Sequence, residues 1–252
     1  MVSTTQRTRI IKAGAIAFWL AVWEIASLLI GEELFLPSPI SVLEALAASA
    51  VDLSFWSAVL FTLERIILGF IISLSSAVIL AFLSYRWRIL GILLEPIVKV
   101  VRATPVASIV ILILVWVRSR NLSVVISFMM VFPVVYQNVL KGLCNTDRNL
   151  IEMADAYRIR TLKRIRYIYL PYLVPYLESA ISISLGLAWK SGIAAEVIGL
   201  PDGSIGERVY EAKIYLSMPD LFASTVTVII LAFVFERVFL YLSRIILRRI
   251  SR

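Results

Sequence analysis

Histidine is absent from the 252 residues, and with it the commonest metal ligand and the usual general base near neutral pH. Cysteine is nearly absent as well: Cys144 alone permits no intrachain disulfide. No G-x-x-x-x-G-K-[ST] stretch occurs, so a phosphate-cradling loop of that kind is not encoded. Charge is scarce at 17%, while 60% of residues are hydrophobic and the mean hydropathy is +0.91. Soluble domains carry about a quarter charged residues, so a water-soluble fold is excluded. The formal charge of +8 could suit nucleic acid. The basic residues cluster beside apolar stretches, however, rather than among stacking aromatics, and no nucleic-acid partner is expected.

Several apolar runs approach or exceed the roughly 20 residues needed to cross the hydrocarbon of a bilayer. Hydropathy and breakers place spans near residues 12–30, 55–84, 89–117, 122–141, 176–198 and 221–245. The expected fold is an all-α integral membrane protein of about six transmembrane helices, forming one domain over residues 1–252. Arg7, Arg9 and Lys12 ahead of an apolar run resemble a secretion signal. That run continues to Ile30, and Gly31-Glu32-Glu33 lacks a small-x-small cleavage pattern, so a retained first helix is expected.

Positive residues orient the spans, because they are retained on the cytoplasmic side. An inside N-terminus puts Arg7, Arg9, Lys12, Arg86, Arg88, Lys141, Arg148, Arg158, Arg160, Lys163, Arg164, Arg166, Arg244, Arg248, Arg249 and Arg252 in the cytoplasm. Only Arg118, Arg120, Arg208 and Lys213 then fall outside, and both termini are cytoplasmic. The loop Gly31–Ser54 holds Glu32, Glu33, Glu44 and Asp52 without Lys or Arg, which fits the outer face. Within it, Ser38 can cap a surface helix whose first turn takes Pro39. Pro96 and Pro105 each remove a donor from the third span, which should be kinked or broken, by packing or along a water-lined path.

The fourth and fifth spans are joined by a long basic segment, placed at residues 142–175. It opens with Glu152-Met153-Ala154-Asp155-Ala156-Tyr157 and closes with Ile168-Tyr169-Leu170-Pro171. This pattern resembles the cytoplasmic signature E-A-A-x3-G-x9-I-x-L-P of the membrane subunits of ABC importers. Glu152, Ala154, Ile168, Leu170 and Pro171 match in register, whereas Met153 replaces an alanine and Arg158 the glycine. Arginine resists the positive-φ conformation that glycine permits, which bears on the turn between the two short helices. Leu36-Pro37-Ser38-Pro39, Thr62-Leu63-Glu64-Arg65 with Gly69-Phe70, Arg102-Ala103-Thr104-Pro105 and Ala188-Trp189 with Glu196 extend the resemblance to the branch for nitrate, taurine and aliphatic sulfonates.

Residues 149–157 read as a short amphipathic helix whose small Ala154 and Ala156 allow close approach of a groove in a partner. The resemblance makes Glu152, Ala154, Asp155, Ala156, Tyr157, Arg158, Leu170 and Pro171 the ATPase-coupling residues. It implies a cytoplasmic ATPase dimer carrying the ATP and Mg, an extracytoplasmic binding protein, and a second permease copy in the bacterial inner membrane. This chain would be no enzyme itself, with no cofactor, metal or catalytic residue of its own. An alternative occupant for the basic segment is anionic lipid.

Charges inside spans cost about 2.5 to 3.5 kcal/mol each at a helix centre, so those present face protein or water. Lys190 and Glu196 are the candidate substrate path. Lys190 would offer a positive site to a small anion, or form an ion pair. Glu196 would fix the outer end of the fifth helix or a gate, or pair with a neighbouring cation. Glu24, Glu64, Arg65, Glu178, Glu236 and Arg237 are expected to pair structurally, and Trp56, Trp87 and Trp116 to anchor at the interfaces. An ion-coupled secondary transporter working alone could use Glu24, Glu178, Lys190 or Glu196, but no inverted repeat is evident. A membrane peptidase lacks any clustered Ser/Lys or Asp/Asp motif.

Overall fold

The computed structural model describes the backbone of residues 4–250 and the side chains of residues 11–245. The side chains of Arg7, Arg9, Arg248, Arg249 and Arg252, used above to orient the chain, lie outside the described residues. Eleven α-helices and one π-helical stretch, with no strand, make up the described residues. Five helical runs are long and apolar enough to cross a membrane: α1 (Thr4–Ile30), α3 (Leu53–Arg86), α6 (Ser119–Cys144), α9 (Leu170–Gly199) with the turns leading into it, and α11 (Met218–Ile250). A broken pair, α4 (Arg88–Ala103) and α5 (Val106–Leu114), bends by 107° and brings the total to six if counted as one span. The all-α membrane architecture read from hydropathy therefore stands.

The break falls at one proline and spares the other. Pro96 stays inside α4, whereas Pro105 has no N–H to continue the ladder and forces Thr104 into extended backbone at ψ 131°. The Thr104 hydroxyl donates back to the Val100 carbonyl at 2.8 Å, satisfying an acceptor at the end of α4. On the other side of α3, α2 (Pro39–Val51) is the expected surface helix. The Ser38 side chain caps it by accepting from the Ser41 N–H at 3.1 Å, and Pro39 opens its first turn.

Helices α3, α6 and α9 form the core, around Ile66, Phe70, Val131, Val135, Leu173 and Leu185. Lipid tails are as apolar as leucine, so this association depends on close packing rather than on a hydrophobic force. Glycine supplies the closeness. A Cβ on Gly69 would stand 2.5 Å from the Val124 carbonyl oxygen, and one on Gly192 2.6 Å from Ile66 Cγ1. Helix α11 joins through rings: Trp189 stacks on Phe235 and donates to the Val228 carbonyl at 2.9 Å. By contrast α1 is fastened at one end, where Trp23 donates to the Pro37 carbonyl and Ser27 to the Leu36 carbonyl. Trp56, Trp87 and Trp116 are exposed, as interfacial anchors are.

Three boundaries differ from the sequence reading. Helix α6 runs on to Cys144, and helical backbone starts at Thr161, so only residues 145–160 of the segment placed at 142–175 lie between the long helical runs. Hydropathy stops where charges begin, but a helix does not, and basic residues near a membrane face extend into water without breaking it. The third difference is α10 (Ile205–Ile214), which hydropathy passed over. Ser204 caps its start: Ser204 Oγ accepts from the Glu207 N–H at 3.0 Å, and the Glu207 carboxylate reaches back to accept from the Gly203 N–H, one residue before the cap, at 2.5 Å.

Candidate functional site

Helix α7 (Arg148–Ala156) opens the segment between α6 and α9. Asp147 caps it, accepting from the Asn149 N–H at 2.9 Å. Its far end closes in a Schellman turn: the Ile159 N–H reaches the Ala154 carbonyl at 2.9 Å and the Arg158 N–H the Asp155 carbonyl at 3.0 Å. That turn needs a left-handed residue, and Arg158 takes the role at φ 51°. The glycine-to-arginine departure therefore leaves the turn intact. It stores strain of about 1–2 kcal/mol that glycine would not carry.

A neighbouring side chain holds the strained turn. Arg164, on the short α8 (Thr161–Arg164), donates through Nη2 to the Ala154 carbonyl at 3.0 Å and through Nε to the Ile159 carbonyl at 2.7 Å. Its Nη1 pairs with the Asp155 carboxylate. One guanidinium thus binds three acceptors around the turn, a use of its planar fork that lysine could not copy. The sequence reading used Arg164 as one of the cytoplasmic cations that orient the chain. Contacts made five to ten residues back in the chain leave no periodic trace.

The expected coupling residues divide by face. Glu152 is exposed and pairs with Arg148 at 3.0 Å, a surface bridge of little energetic weight. Ala156 and Asp155 are exposed, and Tyr157 is 78% exposed. Ala154 is the correction: it is fully buried in this chain, so its small side chain is not offered to a partner. A nine-residue helix between two spans must pack one face back on its own chain to hold an orientation, and Ala154 lies on that face. Leu170 and Pro171 begin α9, reached from α8 through the π-helical stretch Ile165–Tyr169. The signature thus ends inside the fifth span rather than before it. Arg158, Arg160 and Lys163 with Tyr157 and Tyr167 line a surface cavity of about 430 Å3.

At the other end of α9, Glu196 is fully buried. Its carboxylate accepts from the Thr62 hydroxyl of α3 at 2.7 Å and from the Gly206 N–H of α10 at 3.4 Å. Thr62 Oγ1 in turn accepts from the Ile205 N–H at 3.1 Å. Three helices meet on one carboxylate, and Gly206 is required there: a Cβ would stand 2.3 Å from Glu196 Cβ. The ion pair anticipated for Glu196 is not formed among the described residues. The Thr62 hydroxyl and the Gly206 amide at the start of α10 stand where a cation was expected. Arg65 lies over the Phe61 ring at 4.1 Å, and Glu64 is exposed.

Lys190 is exposed on another face of α9. With Glu236 of α11 it lines a mostly apolar cavity of about 500 Å3 that also contains Trp189, Ile193 and Phe233. Lys190 and Glu196 therefore do not share a site. The structural pairing expected of Glu24, Glu178, Glu236 and Arg237 does not occur either: none makes a salt bridge among the described residues.

Residues 69–252 match the family described as binding-protein-dependent transport system inner membrane component. The chain belongs to this family. It is 28% identical over 203 residues to a probable ABC transporter permease protein of Brucella melitensis, covering 80% of this chain and 82% of that one. The taurine transport system permease protein of Escherichia coli is 25% identical over 230 residues, covering 88% and 83%. The nitrate import permease protein of Synechococcus elongatus is 24% identical over 205 residues, covering 77% and 73%. This permease is accordingly a multi-pass inner-membrane transport protein. Within the matched region lie both ends of α9, with the Arg164 clamp at one and the Glu196 junction at the other.

Proposed function

We propose that this chain is the channel-forming subunit of an ATP-driven importer for a small oxyanion, of the nitrate, taurine or aliphatic sulfonate kind that its relatives' names carry. An extracytoplasmic binding protein delivers the anion, and a second copy of the permease completes the pathway. Two cytoplasmic ATPases hold the ATP and Mg, and both termini of the permease face the cytoplasm.

The observation that supports this reading best is the construction of α7. A nine-residue helix too short to be stable alone is capped at both ends and clamped by Arg164 of α8, the short helix that leads through Ile165–Tyr169 into α9. Such a helix has one buried face and one free face, the latter carrying Glu152, Met153, Ala156 and Tyr157. A groove in the ATPase receives that free face, and displacement of α7 moves α9.

Ala156→Trp tests it, because bulk is added to the free face without touching Ala154. Membrane abundance stays normal, while ATPase copurification and substrate-stimulated ATP hydrolysis fall at least tenfold. Normal copurification and coupled hydrolysis in that variant would overturn α7 as the docking helix.

A further inference from the structure

Helix α4 carries four ionisable residues in a stretch otherwise made of Ile, Leu, Val, Gly, Pro and Ala: Arg88, Glu95, Lys99 and Arg102. At 100° per residue these positions fall within about 60° of one another, so they form one stripe along the helix. The opposite side is apolar and exposed, with Leu93, Ile97 and Val100. Val98 packs into the α3, α6 and α9 core. Arg88, Glu95 and Lys99 of the stripe line a cavity of about 680 Å3 together with Ser84, Tyr136 and Gln137, and Arg102 adjoins it through its hydrogen bond to Gln137.

Two features of the stripe point to an anion. First, Glu95 and Lys99 neutralise each other at 2.6 Å, so the remaining charge is that of Arg88 at one end and Arg102 at the other. Second, the partner of Arg102 is neutral: Nη1 donates to the Gln137 amide oxygen. A guanidinium held by an amide keeps its full charge and spare donors, and the amide NH2 adds two more. Arg102 also stands within one turn of the break at Thr104–Pro105. Interrupted spans place ligand groups at their breaks in other transporters.

We propose that Arg102 and Gln137 form an anion subsite that contacts the oxygens of a nitrate or sulfonate group during passage. This rests on the oxyanion-importer reading above. Guanidinium binds such oxygens in a bidentate fork, and the neutral Gln137 orients the fork without competing for it. The Glu95–Lys99 pair keeps the middle of the stripe polar but neutral, so an anion released from Arg102 meets no net charge before Arg88.

The test uses the intact complex of permease, ATPase and binding protein in liposomes, with nitrate and taurine as probes. Wild-type uptake of either, with Arg102→Gln raising the apparent KM at least tenfold at normal abundance and ATPase copurification, is the expected result. Arg102→Lys should recover part of the loss. Gln137→Glu decides between subsite and scaffold: a carboxylate there would capture the guanidinium, strengthening packing but blocking anions, so uptake should fall while thermal stability holds or rises. Unchanged KM in Arg102→Gln, or normal uptake in Gln137→Glu, would overturn the subsite and leave the importer reading standing. No uptake of either probe by the wild type would overturn the oxyanion reading and the subsite with it.

Discussion

The two ends of α9 are held in different ways. At the Gly199 end, three helices converge on the fully buried Glu196, whose partners are a hydroxyl and a backbone amide. At the Leu170 end, α7 is held by Arg164, whose side chain is 24% exposed and whose carboxylate partner Asp155 is 63% exposed. Burial strengthens a polar contact and makes its loss expensive, whereas water screens and replaces an exposed one. The first end is built to stay put, the second to be moved at moderate cost. A helix fixed at one end and adjustable at the other suits a lever driven from the adjustable end.

Breaking the fixed end should have the larger effect. Glu196→Ala strips the acceptor from the Thr62 hydroxyl and the Gly206 N–H inside a site closed to water. The loss is expected at about 2–4 kcal/mol, seen as a lower unfolding midpoint of the detergent-purified permease and reduced membrane abundance. Glu196→Gln keeps an acceptor oxygen and should lose less than half as much. Equal, small losses in both variants would mean that the carboxylate is not the joint between α3, α9 and α10.

The adjustable end should lose less stability and more coupling. Arg164→Ala removes three hydrogen bonds from the turn that Arg158 strains, at an expected cost of about 1–2 kcal/mol after screening. Substrate-stimulated ATP hydrolysis should drop several-fold while basal hydrolysis by the copurified ATPase stays within twofold. Arg158→Gly relieves the left-handed strain and should recover about 1 kcal/mol when combined with Arg164→Ala. Without that recovery, the strain at Arg158 and the Arg164 clamp are not connected.

What could be seen in the sequence follows the same division. Spans, their number and the cap at Ser38 come from local signals of composition and spacing, and Pro105 announced its break through the donor it lacks. The register of Glu152 to Pro171 was legible for the same reason, since a fixed spacing survives single replacements. Which face of α7 is buried was not legible: Ala154 and Ala156 look alike in sequence, and only packing against distant residues distinguishes them. Glu196 was recognisable as costly but not as a hydrogen-bond acceptor, because its donors on α3 and α10 are 134 and 10 residues away. The α4 stripe was readable in principle, at intervals of seven, four and three residues, but hydropathy averaging over a whole span dilutes four charges into a merely weaker helix.

The smallest expected effect lies at the exposed rim of the fixed end, where Asp52 precedes α3. Its carboxylate accepts from the Ser54 hydroxyl and from the Ser54 N–H at 2.9 Å, and Arg208 of α10 approaches it at 3.3 Å. The Ser54 hydroxyl first, then the Ser54 amide and Arg208, favour the charged form and hold the acid below its ordinary value of 3.8. The unfolded chain therefore takes up a proton at higher pH than the folded one. The stabilisation is complete above the ordinary carboxylate range and disappears as pH falls through that range and past the lowered value. Asp52→Asn should be slightly less stable than wild type near neutral pH, with the two unfolding midpoints converging below about pH 4. Uptake at neutral pH should be unchanged, since exposed contacts of this kind contribute little beyond local order. A constant offset between the two profiles at every pH would show that Asp52 acts through its shape as a helix cap rather than through its charge. The contrast between a buried joint and a screened rim would then rest on Glu196 alone.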